Sequence, residues 1–236
     1  MKKSRIATLI VFFVLIPLTL IVGSRLSGRA FYVTSTLVIV ELLIPFFLAF
    51  EGRRPQAREL VVLAVMCALA VAGRVAIPIP SFKAIFGIIM IAGIAFGPES
   101  GFLVGAISAL ASNFFYSQGP YTPWQMMAYG AGGMLAGFVF AEGRLPRKPV
   151  VMGIFGFLAV AFFVGPLLDT CSVFLVMSRI SPKGAMAFYI SGFPVNLRQA
   201  AATAIVLLVL GKPLLEKLDR IKTKYGILDD EGRKEA

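Results

Sequence analysis

The sequence predicts an all-α polytopic membrane protein with eight apolar helical segments. Of the 236 residues, 58% are hydrophobic and only 15% are charged. Several apolar runs reach the roughly 17–25 residues that an α-helix needs to cross a bilayer. A transmembrane β-barrel would instead show short strands of alternating polarity. A helical membrane bundle is therefore the expected fold class.

The apolar segments use nearly the whole chain, so we expect one membrane domain and no soluble domain of useful size. The first segment contains Pro17 and lacks a small-x-small cleavage site, which favours a retained helix over a signal peptide. The fourth segment is short and the last two are long. The eight segments span residues 6–22, 31–50, 58–79, 84–97, 100–117, 124–140, 149–180 and 184–211.

Basic residues predict the orientation of the bundle through the positive-inside rule. With the N-terminus in the cytoplasm, most of the 23 Lys and Arg residues lie in inner segments or in the tail after Gly211. We therefore expect both termini to be cytoplasmic and the loop at residues 117–123 to face outward. The net charge of +11 follows from this distribution and requires no nucleic-acid partner.

The uncharged loop between the fifth and sixth segments is the strongest candidate for a small-molecule site. Pro120 and Pro123 restrict its backbone, and a stiff loop loses less entropy when it binds a ligand. An aromatic belt at the membrane–water interface would explain the same composition. The groups that would contact a ligand are Asn113, Phe114, Phe115, Tyr116, Ser117, Gln118, Tyr121, Thr122, Gln125 and Trp124, the only tryptophan in the chain.

Polar side chains within the spans predict an outward-opening polar cup below this loop. Such groups are costly in hydrocarbon and face the bundle interior or a wet cavity. An ion pair between Asp169 and Arg198 that only joins two helices is the structural alternative. Glu41 stands apart, as a proton site or as a bond to a neighbouring helix. Four other spans supply the cup residues, each about 20–30 Å from the cytoplasmic end: Arg74, Asn113, Asp169 and Arg198, the last beside Asn196 and Gln199.

Small residues recur every four positions on three helical segments. Such faces let helix backbones approach closely and are common inside membrane bundles. Packing within the bundle is therefore the ordinary interpretation, and a flat face for a partner membrane protein is the specific one. The three sets are Ala64, Ala68 and Ala72; Gly93, Gly97, Gly101 and Gly105; and Gly133 and Gly137.

The residue inventory argues against enzymatic chemistry and gives no indication of a bound metal or cofactor. Histidine is absent, which removes the commonest general base and metal ligand. A Ser–His or HExxH intramembrane protease is therefore excluded. Cys67 and Cys171 both lie in apolar segments, where packing is a commoner role than a disulfide framework.

The tail after Gly211 has the pattern of a short amphipathic helix. We expect this helix to lie on the anionic inner leaflet, and a docking helix for a cytoplasmic partner is the alternative. Its apolar residues are Leu214, Leu215, Leu218 and Ile221, and its basic residues are Lys217, Arg220, Lys222 and Lys224.

Three ordered motifs resemble the S components of energy-coupling factor (ECF) vitamin transporters. They are the AxxxAxxxA helix at 64–72, the Pro-rich turn IPIPS at 77–81 and the stretch GPESGFLVGAISAL at 97–110. The resemblance covers residues 58–211 and implies a six-helix substrate-binding membrane core. Residues 1–57 add two transmembrane helices that the family pattern lacks, and residues 212–236 form a cytoplasmic basic tail. The stretch SQGPYTPWQM further resembles the cobalamin-type S components.

This resemblance implies a high-affinity vitamin-binding subunit in the bacterial or archaeal cytoplasmic membrane. Such a subunit captures a vitamin from outside and docks on a membrane-embedded T component driven by two cytoplasmic ATPase subunits. It then topples in the membrane and releases the vitamin inside. The chain itself would hydrolyse nothing, and it shows no GxxxxGK[ST] phosphate loop. The partner-docking residues would be Ala64, Ala68 and Ala72.

We expect cobalamin or a related corrinoid as the ligand, with another vitamin such as riboflavin as the alternative. One rival class is a secondary transporter coupled to protons through Glu41 or Asp169. The other is a membrane enzyme, which scattered carboxylates disfavour because acid–base catalysis needs a positioned pair. The expected substrate-binding residues are Arg74, Pro80, Asn113, Tyr116, Gln118, Tyr121, Thr122, Trp124, Gln125, Tyr129, Asp169, Asn196 and Arg198.

Overall fold

The six apolar stretches of the predicted core fold as helices in the expected order. The computed structural model describes residues 56–177 and 181–226, together with Leu15, Leu18, Thr19, Val33, residues 36–41, Leu43 and Ile44. The predicted segments 6–22 and 31–50 therefore lie mostly outside the described residues. The described helices are α1 (Ala57–Val75), α2 (Ile85–Phe96), α3 (Pro98–Tyr116), α4 (Thr122–Phe140), α5 (Pro149–Ala159), α6 (Gly165–Val176), α7 (Pro182–Val206) and α8 (Lys212–Tyr225).

Proline and glycine determine where several of these helices begin. Pro98, Pro149 and Pro182 each occupy the first turn of a helix, where a missing backbone N–H costs nothing. Gly97 joins α2 to α3 with a φ of 93°, a conformation that side chains rarely allow. The Ser181 hydroxyl accepts a hydrogen bond from the Gly184 backbone N–H at 3.1 Å and caps α7.

Helix α2 lies at the centre of the bundle. All 12 of its residues are buried, and it packs against α1, α3, α4 and α7. At about 1.5 Å per residue it is about 18 Å long, whereas a hydrocarbon core is about 30 Å thick. The predicted segment 84–97 thus forms a short apolar helix at the centre of the bundle, and its crossing of the membrane stays a prediction.

Glycine faces bring α2, α3 and α4 into direct backbone contact. A Cβ atom added to Gly93 would lie 2.1 Å from the Gly133 carbonyl oxygen, and one added to Gly101 would lie 2.5 Å from the same atom. A Cβ added to Gly137 would lie 2.5 Å from the Pro98 backbone. These faces therefore serve internal packing, the ordinary interpretation of such spacing.

Two described helices are long and apolar enough to cross a membrane. One runs from Pro149 to Val176 and the other from Pro182 to Tyr225, with mean hydropathies of 2.4 and 1.6. Each is continuous through a π-helical turn, at Val160–Val164 and at Leu207–Gly211. The second helix thus continues without a break across residues 211–212, the predicted boundary between the core and the tail.

The amphipathic helix predicted in the tail is present as α8, and its apolar face packs against the bundle. Leu215 and Leu218 are buried in the main hydrophobic cluster. The Lys222 Nζ donates a hydrogen bond to the Ala95 carbonyl at 2.7 Å, and the side chain of Arg147 donates to the Ile94 carbonyl at 3.1 Å. These two cations satisfy carbonyl groups at the C-terminal end of α2. In the described structure, protein rather than lipid therefore covers the apolar side of α8.

Candidate binding cavity

An open cavity of about 540 Å³ lies at the end of the bundle that carries the loops at 76–84 and 117–121. The ends of α1, α2, α3 and α4 form one side, and α6 with the middle of α7 forms the other. We call it the loop-end cavity. Its described lining consists of Arg74, Ser81, Lys83, Ile85, Phe86, Tyr116, Tyr121, Gln125, Tyr129, Leu168, Cys171, Ser172, Leu175, Val176 and Gln199.

Aromatic rings supply much of the cavity wall. The rings of Phe86 and Tyr129 meet edge to face with centroids 4.6 Å apart, a favoured geometry for aromatic pairs. The Tyr121 hydroxyl donates to the Ser117 carbonyl at 2.7 Å, and the Tyr116 hydroxyl donates to the Arg74 carbonyl at 3.1 Å. The two loop-end tyrosine rings are thus held in fixed positions, as a preorganised site requires.

The guanidinium group of Arg74 lies between two of these rings. Its centre is 5.0 Å from the centroid of the Tyr116 ring and 5.6 Å from that of Tyr129, within the range of cation–π contacts. Its Nη1 atom donates to Ser112 Oγ, and to Asn113 Oδ1 at 2.9 Å. Arg74 is therefore held by two residues of α3 while it lines the cavity.

Asn113 stands behind the wall and holds the start of α4 in place. Its Nδ2 donates to Gln125 Oε1 at 2.8 Å and to Thr122 Oγ1 at 3.2 Å. Thr122 in turn donates to Gln118 Oε1 at 2.9 Å. Asn113 and Thr122 are buried, so this network fixes the loop and the lining residue Gln125 from inside the protein.

Trp124 lies outside the described lining of the cavity. Only 8% of its surface is exposed, and its ring centroid is 5.4 Å from that of Phe174. Ile39 and Cys171 belong to the same buried cluster. A helix exposes successive residues about 100° apart, so Gln125 faces the cavity while Trp124 turns toward α6. The structure thus places Trp124 in a buried cluster next to the cavity, and its contact with a ligand stays a prediction.

The polar groups of α6 and α7 pair differently from the sequence expectation. Asn196 Nδ2 donates to Asp169 Oδ2 at 2.7 Å, whereas the exposed Arg198 donates its Nε to the Pro194 carbonyl at 3.3 Å. The alternative ion pair between Asp169 and Arg198 is not formed in the described structure. Asp169, Arg198 and Asn196 lie outside the described lining. Of the residues named for the predicted cup, Arg74 and Gln199 line the cavity.

Five of the predicted binding residues line the cavity, and eight lie elsewhere. The lining contains Arg74, Tyr116, Tyr121, Gln125 and Tyr129. The residues placed outside it are Pro80, Asn113, Gln118, Thr122, Trp124, Asp169, Asn196 and Arg198. Among these, Asn113 and Thr122 still help to shape the cavity, because their hydrogen bonds hold Gln125 and the loop in place.

Lys83, Ser81 and Gln199 line the cavity although the sequence did not single them out as contacts. Lys83 donates a hydrogen bond to the Ile77 carbonyl within the loop. Ser81 has a φ of 59°, a strained conformation for a residue other than glycine. Gln199 Oε1 is buried and has no hydrogen-bond partner in the described structure. An orphaned buried acceptor beside a cavity is a signal that sequence spacing alone does not give.

The three alanines of the AxxxAxxxA helix are all exposed on the outside of α1. A shallow groove runs along part of this face, and its lining includes Ala68, Ala72 and Phe115. Unlike the glycine faces, this face packs against no other described helix in the bundle. No group of three potential metal ligands occurs among the described residues.

A helical membrane bundle with an open, aromatic and cationic cavity at one end defines a membrane protein that binds a small molecule. Residues 55–216 match the family model of the ECF-type riboflavin transporter, S component. This match covers more than half of the chain, and the chain therefore belongs to that family. It is a multi-pass transporter subunit rather than an enzyme, of a kind that binds a vitamin and works with T and ATPase components. The predicted S component is confirmed, whereas the match does not support the cobalamin-type subgroup.

Curated relatives come from Lactococcus lactis. The chain is 29% identical over 160 residues to the UPF0397 protein YdcD of subspecies lactis strain IL1403, covering 66% of this chain and 83% of that protein. It is 28% identical over 162 residues to the UPF0397 proteins of subspecies cremoris strains NZ9000 and MG1363, with the same coverage. These names state no substrate. No solved structure matches the chain significantly.

Proposed function

We propose that this chain is the substrate-binding S subunit of an ATP-driven ECF importer for a flavin or a planar vitamin of similar size. The observation that carries the proposal is the loop-end cavity, whose tyrosine rings and Arg74 lie within the region matched by the family model. The name of that model favours riboflavin over the corrinoid expected from the SQGPYTPWQM stretch.

The size of the cavity also favours the smaller ligand. A volume of about 540 Å³ falls within the roughly 300–1,000 Å³ of sites for drug-sized molecules. A cobalamin, with its macrocycle, amide arms and nucleotide loop, is much larger than molecules of that class. A flavin ring with a short polar chain has a size that a cavity of this volume accommodates.

The chemistry of the lining fits a flat conjugated ring with a polar edge. Tyr121 offers a ring surface on which such a system would stack, and the buried Tyr129 adds aromatic wall beside it. Gln199 also lines the cavity, and a rotation of its side chain would bring its Oε1, which is buried without a partner, to the imide N–H of a flavin. Gln125 is already oriented by Asn113, which donates to its Oε1, and its Nε2 amide group, which makes no described hydrogen bond, would donate to a ring carbonyl.

The exposed alanine face of α1 is the proposed docking surface for the T component. Ala64, Ala68 and Ala72 leave the backbone of α1 accessible over two turns, and small residues permit close approach of a second membrane helix. This assignment follows the family resemblance, and the groove beside Ala68 supplies room for side chains of the partner.

Proton-coupled transport has weaker support in the arrangement of the acids. Asp169 is bonded to Asn196, and Glu41 accepts a hydrogen bond from Thr19 at 2.6 Å. Neither carboxylate is part of the described cavity lining. Uptake by cells that lack the ATPase subunits would nevertheless favour that mechanism over the proposed one.

The decisive experiment is mass spectrometry of the small molecule that co-purifies with the full-length chain, followed by calorimetry with riboflavin and cobalamin. A planar vitamin in the spectrum and saturable binding of riboflavin without binding of cobalamin are the expected results. Binding of cobalamin at one site with higher affinity would overturn the flavin proposal while leaving the S-subunit assignment intact.

A further inference from the structure

The loop-end cavity contains two cations and no acid among its described lining residues. Arg74 and Lys83 both line it, and the rest of the described lining is apolar, aromatic, hydroxyl or amide. Proteins seldom leave like charges together at a partly enclosed site, because each is costly to desolvate without a counter-charge. The lining therefore lacks a negative partner of its own.

The hydrogen bonds of these cations leave donors unused. The described hydrogen bonds of the Arg74 guanidinium all come from Nη1, to Ser112 and Asn113, although a guanidinium carries five N–H groups. Lys83 makes one described hydrogen bond, to the Ile77 carbonyl, with three donors on its ammonium group. Both groups thus retain N–H donors for a ligand.

The carboxylate that lies closest in sequence to a lining residue already has contacts other than Arg74 and Lys83. Asp169 follows the lining residue Leu168, but its Oδ2 accepts from Asn196 at 2.7 Å. Its Oδ1 faces Gly192 so closely that a Cβ there would lie 2.1 Å away, at the contact of α6 with α7. The ion pairs described elsewhere join Arg147 to Asp219 and Lys212 to Glu216, at the opposite end of the bundle.

We infer that the ligand of the loop-end cavity is an anion: a planar ring that carries a carboxylate or phosphate group held by Lys83 and Arg74. This inference rests on the proposed function, since it names the charge of the molecule that the S subunit binds. The tyrosines contact the ring, and the two cations contact its acidic group. Charge-assisted hydrogen bonds of this kind are about twice as strong as neutral ones.

The test compares ligands that differ by one acidic group, using the purified full-length chain in detergent. Calorimetry with riboflavin and with riboflavin 5′-phosphate should show tighter binding of the phosphate by roughly tenfold, the value of one hydrogen bond to a charged group. The Lys83→Met variant should lose most of that difference, and Lys83→Arg should keep it. Lys183→Met, an exposed lysine outside the described lining, is the matched control and should leave the difference unchanged.

Equal affinity for the two flavins, or an unchanged difference in Lys83→Met, would overturn the inference. If neither flavin binds, the flavin proposal fails. The preference for an anion is then tested with two smaller pairs of an acid and its amide: nicotinate with nicotinamide, and 4-aminobenzoate with 4-aminobenzamide. A higher thermal midpoint with an acid than with its amide, lost in Lys83→Met, supports the inference. No shift with either acid counts against it.

Discussion

Gln199 is the polar side chain through which α7 reaches the cavity, and its Oε1 has no described partner. We predict that Gln199→Leu weakens binding of the co-purified vitamin by roughly fivefold, since one neutral hydrogen bond is worth about 1 kcal/mol. The protein should not become less stable, because no internal bond is lost. Calorimetry and a thermal melt in detergent measure the two effects, with the exposed Ser191→Ala on the same helix as control. A lower melting temperature with unchanged affinity would assign Gln199 to packing.

Trp124 illustrates how a large aromatic residue near a site can serve the protein interior. The sequence suggested a ligand contact whose loss costs at least roughly thirtyfold in affinity, but the ring is buried against Phe174. We now predict that Trp124→Ala lowers stability by about 3–5 kcal/mol, as for other large buried aromatic residues. Trp124→Phe should lose much less. Size-exclusion profiles and melting temperatures test this, and a stable, monodisperse Trp124→Ala variant with lost binding would restore the earlier interpretation.

At the scale of elements, the contact of α3 with α4 depends on two glycines that no larger residue can replace. A Cβ on Gly133 would lie 2.3 Å from the Gly101 carbonyl oxygen, which is backbone and has little room to move. We predict that Gly133→Ala prevents accumulation of folded protein in the membrane. Gly211→Ala is the control, since its Cβ meets only the end of the flexible Met152 side chain. Equal yields of the two variants would show that the helices can separate at little cost.

The alanine face of α1 makes a different prediction, because it faces away from the bundle. Ala68→Leu should abolish vitamin uptake in cells while leaving ligand binding by the purified protein near normal. The exposed Ala187→Leu on α7 is a control for the added bulk. Loss of binding together with loss of uptake would mean that the substitution disturbs the bundle rather than a docking surface.

At the scale of the whole molecule, the orientation in the membrane remains a prediction from charge. A cysteine at Ser117, with Cys67 and Cys171 replaced, should react with an impermeant thiol reagent added to intact cells. A cysteine at the exposed Thr223 of α8 should react only after lysis. The reverse pattern would invert the topology and place the loop-end cavity in the cytoplasm.

Much of the helix order was predictable because prolines and apolar runs act locally. The predicted segments 58–79, 100–117 and 124–140 agree closely with α1, α3 and α4. The central position of α2 was not predictable, because a helix buried among other helices and a helix facing lipid can have the same apolar composition. Only the surroundings of α2 distinguish them, and those depend on contacts between residues far apart in the chain.

The cavity was predictable on the side nearest the loop and less so on the far side. Tyr121 and Gln125 follow the prolines that begin α4, so their place near the site could be inferred from the chain alone. Lys83 and Gln199 reach the same cavity from two other segments of the chain, and sequence spacing does not predict which distant segments meet. A charge in a span is expected to face inward, whereas the structure places Arg198 at an exposed position outside the described lining.

Because α7 continues into α8, a tilt at one end of the combined helix would also move its other end. The combined helix has 44 residues and is about 66 Å long. Gln199 lies at the cavity and Lys222 at the opposite end of the bundle, on the same continuous helix and about 35 Å apart along its axis. A tilt of about 10° about Gln199 would displace Lys222 by about 6 Å over that length, more than its 2.7 Å hydrogen bond to Ala95 can follow. A small tilt of this helix around a ligand would thereby become a larger displacement at the far side of the protein.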